Sequence, residues 1–186
     1  MVVNVTFFVC GLTSTITPQA VLLRFVTIPG SLTWTFCSFL ELISYENDVF
    51  RAFVFWSTVL IVKTMFMSPL TGLQRFKNKS FANPEDSAMY KTKPKFDDPN
   101  VERVRRAHRN DLENIFPFVL IAFFYVLTNP QAWLAINLFR VAAIARIVHT
   151  VVYAVVVVPQ PARALAFFVC LAVTLYMAFQ TIVFFL

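Results

Sequence analysis

Charge is scarce in this chain of 186 residues, because Asp, Glu, Lys and Arg together make up only 14% of it. Soluble domains carry roughly a quarter charged residues. Hydrophobic residues reach 58%, and so apolar a chain would leave too much apolar surface in water. The composition therefore excludes an ordinary soluble domain and indicates a lipid bilayer as the solvent.

Glycine and cysteine are also rare. The chain has three glycines, which excludes a glycine-rich phosphate-binding loop. Its three cysteines, Cys10, Cys37 and Cys170, are odd in number and far apart, so neither a disulfide framework nor a zinc site is predicted. No catalytic metal motif of another kind occurs, and we expect no metal.

Basic residues are concentrated in one part of the chain. Ten of the sixteen Lys and Arg lie between Arg75 and Arg109, within a formal net charge of +6. A basic loop beside membrane segments favours the cytosolic side by the positive-inside rule. Nucleic-acid binding is the other explanation of such charge, but the sequence has no folded module for reading nucleic acid. We therefore expect no nucleic-acid partner.

Four segments are long and apolar enough to cross the roughly 30 Å hydrocarbon core as helices. They cover approximately residues 48–74, 98–128, 132–157 and 163–186. Asp98 as N-cap, Pro99 at the first helical position and Glu102 in the first turn predict where the second helix begins. We predict an all-α fold, an integral membrane four-helix bundle formed by residues 45–186.

Residues 1–44 differ from the rest. They are apolar and rich in Thr and Ser, and Pro18 and Pro29 interrupt any long helix. No basic segment precedes the apolar stretch, so it does not match a signal peptide. We interpret these residues as an N-terminal extension of unknown order or as an upstream artefact of the reading frame.

Polar residues of the second segment share one helix face, because they are spaced i, i+3, i+4 and i+7: Arg106, Arg109, Asn110 and Glu113. Arg105 and His108 flank this face. The excess of guanidinium groups over carboxylates predicts an anionic ligand, since the planar fork of arginine suits carboxylates. Alternatively, Glu113 pairs with an arginine of a neighbouring helix and fixes the bundle. The spacing leaves binding and structural pairing equally open.

Three residues of the third segment, Arg146, His149 and Tyr153, also share a face. Arg163 opens the fourth segment, across a Pro-Gln-Pro turn from Tyr153. A single histidine is more often a hydrogen-bonded helix residue than a catalyst, and a single tyrosine is usually an interfacial aromatic. Their shared depth with the polar face of the second segment nevertheless favours a binding pocket.

Lys63 lies inside the first apolar segment, where a charge is energetically costly. We expect its amine to reach the membrane surface or to form an interhelical hydrogen bond, and we favour either of these over a catalytic role.

Several stretches together are highly specific for one family. They are FANPED at 81–86, VERVRRAHRNDLE at 101–113, ARIVHTVVY at 145–153 and PQPARALAFF at 159–168. On these stretches the sequence resembles the MAPEG superfamily, the membrane-associated proteins in eicosanoid and glutathione metabolism. Within that superfamily it is most similar to the type-1 microsomal glutathione S-transferases, and the similarity covers the chain from about residue 48 onward.

The resemblance implies a homotrimer of four-helix protomers, with glutathione bound between adjacent subunits near the cytosolic end. The positions that match glutathione contacts of the type-1 enzymes are Arg75, Arg105, Arg106, His108, Glu113 and Tyr153. Positions that match the pocket of the wider family are Asn110, Arg146 and His149. Arg109 matches an arginine of the related prostaglandin E synthases, and Asp86 is a further candidate that fits both branches. Arg163 corresponds to the arginine that acts on the glutathione sulfur, and we assign it as catalytic.

The implied activity is that of a membrane-bound glutathione transferase, with glutathione as co-substrate and a lipophilic electrophile reaching the site through membrane lipid. Peroxidase activity on lipid hydroperoxides is a second reaction of the same site. The resemblance implies a multi-pass protein of the endoplasmic reticulum membrane, with the mitochondrial outer membrane as the other location. A prostaglandin E synthase-like isomerase and a non-catalytic lipid-binding scaffold are the alternative functions.

Three positions depart from the family pattern. Ala164 follows Arg163 where the prostaglandin E synthases have a serine, which weakens the isomerase alternative. Ser87 stands where mammalian type-1 enzymes have a reactive cysteine, so we expect no activation by thiol modification at that position. The connection between Tyr153 and Arg163 is also one residue longer than is usual in the family.

Overall fold

The computed structural model describes residues 39–186. Residues 1–38 of the predicted N-terminal extension therefore lie outside the described residues. The helices are α1 (Asp48–Asn78), α2 (Pro84–Met89), α3 (Pro99–Leu127), α4 (Ala132–Thr150) and α5 (Ala162–Phe185). A π-helical turn, Val151–Val155, continues α4. The helices α1, α3, α4 with its π-turn, and α5 are each long and apolar enough to span a membrane. The predicted all-α four-helix membrane bundle is confirmed.

Helix starts are fixed by side-chain caps at two of the membrane helices. Asn47 Oδ1 accepts hydrogen bonds from the backbone N–H groups of Val49 and Phe50, at 2.9 and 3.3 Å, and so caps α1. Asp98 caps α3, as the sequence predicts, and Pro99 occupies the first turn. Such caps satisfy backbone N–H groups that have no partner within the helix.

The helices α3 and α4 each pack against both α1 and α5. Buried alanines at their contacts, including Ala122, Ala142 and Ala143, allow the backbones to approach closely, as is usual in membrane bundles. Large side chains such as Phe118 and Phe139 fill the core between them. Many other phenylalanines and valines are exposed on the outside of the bundle, which suits a surface that faces lipid.

Both connections that flank the polar residues lie at one end of the bundle, here called the loop end. They are residues 79–98, between α1 and α3, and residues 156–161, between the π-turn and α5. The first connection contains α2, a short helix within a stretch for which the sequence predicts only polar loop. Phe81 and Tyr90 stack there with ring centroids 4.6 Å apart. This connection is therefore a packed cap on the bundle.

Candidate functional site

The polar face of α3 points mostly away from its own protomer. Arg105 and Arg106 are exposed, and the Arg109 and Glu113 side chains are 75% and 61% exposed. Arg109 Nε lies 3.9 Å from Glu113 Oε1, so the nearest cation to Glu113 belongs to its own helix and not to a neighbouring one. Such an exposed pair contributes at most about 1 kcal/mol to stability. Among residues 39–186, these four side chains lie outside the cleft between α3, α4 and α5, whereas Asn110 of the same polar face lines it.

The polar residues of α4 point inward instead. Arg146 has no exposed surface and His149 is 3% exposed, while Tyr153, in the π-turn, is half-buried. The His149 and Tyr153 rings meet edge to face, with centroids 5.6 Å apart. The guanidinium carbon of Arg163 also lies near Tyr153, 4.4 Å from the ring centroid. The helix start of α5 and the π-turn are thus joined through one aromatic ring.

A π-turn ends the third membrane helix. The backbone N–H of Val156 donates to the carbonyl oxygen of Val151 at 2.8 Å, the i to i+5 bond of a π-helix. A π-turn holds one residue more than an α-turn. With this turn, the helix ends at Val155 rather than at the predicted residue 157.

A cleft of about 250 Å³ opens between α3, the end of α4 and the start of α5. Its lining residues are Asn110, His149, Tyr153, Arg163, Ala164, Phe167 and Phe168. The start of α5 contributes both the Arg163 guanidinium and two phenylalanines, and polar groups of α3 and α4 complete the lining. Such a cleft can hold an anionic group against the arginine while an apolar molecule contacts the phenylalanines.

The remaining predicted site residues lie outside this cleft. Arg75 Nη1 donates to the Ser80 carbonyl oxygen at 3.2 Å and so holds the end of α1 to the loop. Asp86 accepts a hydrogen bond from Asn83 Nδ2 at 3.1 Å, within the α2 turn. His108 is half-buried on α3. Ser87, for which we expect no activation by thiol modification, is buried and donates to the Asn83 carbonyl oxygen at 3.0 Å.

Behind the cleft lies a group of buried charges that the sequence analysis missed in part. Asp111 is fully buried and accepts hydrogen bonds from Lys63 Nζ of α1, from Arg146 Nη2 at 2.5 Å and from Thr150 Oγ1 at 3.2 Å. Lys63 therefore forms the interhelical hydrogen bond, the second of its two expected arrangements. We refer to Lys63, Asp111, Arg146 and Thr150 as the buried charge cluster.

A sequence signal for Asp111 exists. Its neighbours on the helix face, Val104, Ala107, Ile115 and Phe118, recur at spacings of three and four residues and are all buried. A carboxylate on that apolar stripe has to meet a cation from another helix, because an unpaired buried charge is prohibitively costly.

Several buried nitrogen atoms near the cleft have no hydrogen-bond partner among residues 39–186. They are Nε and Nη1 of Arg146 and Nδ1 of His149. Buried polar groups are nearly always hydrogen-bonded, to protein, to water or to a ligand. Over the same residues, no three His, Cys, Asp or Glu side chains are grouped closely enough to hold a metal ion.

The sequence was compared with known families and proteins. Residues 53–183 match the model of the MAPEG family. The chain is 49% identical to Microsomal glutathione S-transferase 1 of Mus musculus and 46% identical to that of Homo sapiens. Each match extends over 140 residues, which is 73% of this chain and 90% of the relative. It is 37% identical to Prostaglandin E synthase of Rattus norvegicus over 146 residues, 76% of this chain and 95% of that protein.

Proposed function

The chain belongs to the MAPEG family, and we propose that it is a membrane-bound glutathione transferase that conjugates glutathione to hydrophobic electrophiles. Relatives named as glutathione transferases are more similar to it than those named as prostaglandin E synthases. The observation that carries the proposal is the Arg163 guanidinium, held over Tyr153 at a cleft that two phenylalanines also line.

Arg163 is the group that we assign to the chemistry. A free thiol has a pKa near 8.5, so only a small fraction of it is thiolate at neutral pH. A guanidinium beside the sulfur favours the anion, and the thiol proton leaves to solvent at the loop end. The thiolate then forms a carbon–sulfur bond with the electrophile, whose leaving group departs with its electron pair. The protein contributes positioning and electrostatic stabilisation.

The single protomer offers too few cations for the whole of glutathione, which carries two carboxylates. Its cleft contains one arginine, Arg163. Arg105, Arg106 and Arg109 lie exposed on α3, where they could hold carboxylates only together with groups from another chain. We therefore propose a homotrimer with glutathione between adjacent protomers, bound by the α3 arginines, His108, Glu113 and Arg75 in addition to the cleft residues.

A large apolar groove supports this assembly. It runs along α1 and the end of α4 and has a volume of about 1270 Å³. Val54, Phe55, Phe66 and Leu73 of α1 line it and are exposed in the protomer. A second copy of the chain is the proposed occupant, because a groove that runs along most of α1 would give two protomers an extended apolar contact.

We place the protein in the endoplasmic reticulum membrane as a multi-pass protein, with the loop end in the cytosol. The basic residues between Arg75 and Arg109 support this orientation. The mitochondrial outer membrane is the alternative location. Fractionation of cells that express the full chain, with markers for both membranes, distinguishes the two.

The deciding experiment compares Arg163→Ala with Arg140→Ala. Arg140 is an exposed arginine of α4 that bonds only Asn137 among the described residues, so its loss controls for the removal of a guanidinium. With an aryl halide as electrophile, we expect Arg163→Ala to lower turnover by about 100-fold while glutathione binding is largely retained. Full turnover in Arg163→Ala would overturn the assignment of Arg163.

Two other activities are tested on the same purified protein. With a lipid hydroperoxide, the thiolate would attack the O–O bond, and a second glutathione would complete the reduction to alcohol, water and glutathione disulfide. With a prostaglandin endoperoxide, isomerisation would indicate the synthase activity, which Ala164 disfavours. A protein that binds no glutathione by equilibrium dialysis would instead be a non-catalytic lipid-binding scaffold.

A further inference from the structure

The buried charge cluster reaches the cleft through a single guanidinium. Arg146 Nη2 donates at 2.5 Å to Asp111 Oδ1 and at 2.9 Å to Asn110 Oδ1. Asn110 lines the cleft, whereas Asp111 lies behind it with no exposed surface. We propose that Asp111 is a positioning residue, which holds Arg146 so that Arg146 fixes the Asn110 side chain in the orientation that binds glutathione. This inference rests on the proposed function.

The orientation of an asparagine amide decides whether it offers a donor or an acceptor. Because Arg146 occupies the Asn110 amide oxygen, Nδ2 is the end that remains for a ligand. An N–H donor suits glutathione, whose carboxylates, carbonyl groups and thiolate are all acceptors. If Asn110 turned over, its oxygen would face those groups and the interaction would become repulsive.

The same cluster also keeps the Arg146 guanidinium out of the cleft. Arg146 and Asp111 are both fully buried, and Lys63 adds a second cation to the one carboxylate. In this interior a released guanidinium would move toward the nearest acceptor or water, which is at the cleft, since an unpaired buried charge is strongly unfavourable. Asp111 thus determines where the Arg146 charge lies.

If the buried charge cluster served only to hold the helices together, Arg146 would not be needed. The ion pair of Lys63 with Asp111 by itself joins α1 to α3, and the hydrogen bond from Thr150 by itself joins α4 to α3. Neither Lys63 nor Thr150 is a lining residue of the cleft. Arg146 is the member that contacts both Asp111 and a cleft residue, and its Nη2 donates both hydrogen bonds.

The experiment is a double-mutant cycle in which the dissociation constant for glutathione is measured by equilibrium dialysis. All four proteins carry Lys63→Met, because Asp111→Asn then leaves the cluster with the same net charge as the wild type. The first protein carries Lys63→Met alone. The second adds Asp111→Asn, the third adds Asn110→Leu, and the fourth adds both substitutions. Thermal unfolding and oligomeric state are recorded for each protein.

We expect Asp111→Asn to weaken glutathione binding by about tenfold when Asn110 is present, and less than about twofold when it is leucine. An equal loss in both backgrounds would show that Asp111 does not act through Asn110, and the proposal would be overturned. If wild type binds no glutathione, the proposed function fails first. The two failures are therefore distinguishable.

A second cycle covers the case in which the Lys63→Met proteins do not fold. Arg146→Met, in otherwise wild-type protein, removes both hydrogen bonds of Nη2 and leaves Asp111 paired with Lys63. Combined with Asn110→Leu, it should show the same non-additive effect on the dissociation constant. Additive losses in this cycle would also overturn the proposal.

Discussion

The guanidinium carbon of Arg163 lies 4.4 Å from the centroid of the Tyr153 ring, across the connection between the π-turn and α5. Arg163 is the residue that we propose as catalytic, and the contact places its charge against the face of an aromatic ring. It joins the start of α5 to the π-turn that ends α4. We therefore expect the position of the Arg163 charge to depend on the face of Tyr153.

Replacement of Tyr153 by leucine should displace the guanidinium. A cation–π contact contributes about 0.5–2 kcal/mol, so we expect turnover to fall by about fivefold at saturating glutathione. Tyr153→Phe keeps the ring face and is the matched control, which should retain most of the turnover. The measurement is the rate with an aryl halide as a function of pH. If Tyr153→Phe loses as much as Tyr153→Leu, the hydroxyl rather than the ring face is what matters.

Two carboxylates within one turn of α3, on different faces of the helix, should differ widely in their effect on stability. Asp111→Ala leaves Lys63 and Arg146 buried without their carboxylate, which we expect to cost about 3–5 kcal/mol. Glu113→Ala removes only an exposed pair with Arg109 and should cost less than about 1 kcal/mol. Thermal unfolding in one detergent compares the two. Similar losses would contradict the difference in burial.

The cap of α3 should make stability depend on pH. Burial alone would raise the pKa of Asp98, but hydrogen bonds from Lys95 and from the backbone N–H groups of Val101 and Asn100 outweigh it and lower the pKa. The folded-state pKa thus lies below the unfolded value of about 3.9. The ionised carboxylate therefore stabilises the fold above that value, and this contribution is lost as pH falls through the folded pKa.

The test compares wild type with Asp98→Ala. Near neutral pH, we expect the substitution to lower the free energy of unfolding by about 1 kcal/mol. The difference in thermal stability between the two proteins should shrink as the solution is acidified toward the folded pKa. A difference that stays constant over that range would mean that the charge of Asp98 has no part in the cap.

Thiol alkylation should not activate this protein through position 87. Ser87 carries a hydroxyl that alkylators leave intact, and Cys170 is buried in α5. We expect alkylation to leave the conjugation rate of the wild type unchanged. We expect the same lack of response in Ser87→Ala. A several-fold rise in wild type would contradict the prediction.

Much of the fold follows from local sequence. Asp98 and Pro99 predict the start of α3, and four long apolar stretches predict the four spans, because caps and hydrophobic length act within a single helix. The short helix α2 was not predicted, since Asn83 and Pro84 signal a turn as readily as a helix start.

The sequence was less informative about which side chains pair between helices. Periodicity assigns Arg146 and Glu113 to faces, but it does not say how two helices are rotated against each other. The structure pairs Arg146 with Asp111 and leaves Glu113 beside Arg109. Only the apolar neighbours of Asp111 could have indicated that this carboxylate faces the interior.

The π-turn at Val151–Val155 winds wider than an α-helix and so holds one more residue. For protein engineering it is a natural place to shorten the chain, because removing one valine would return the segment to α-helical winding. Contact between Tyr153 and Arg163 in the shortened protein would show that the extra residue is not needed to bring them together.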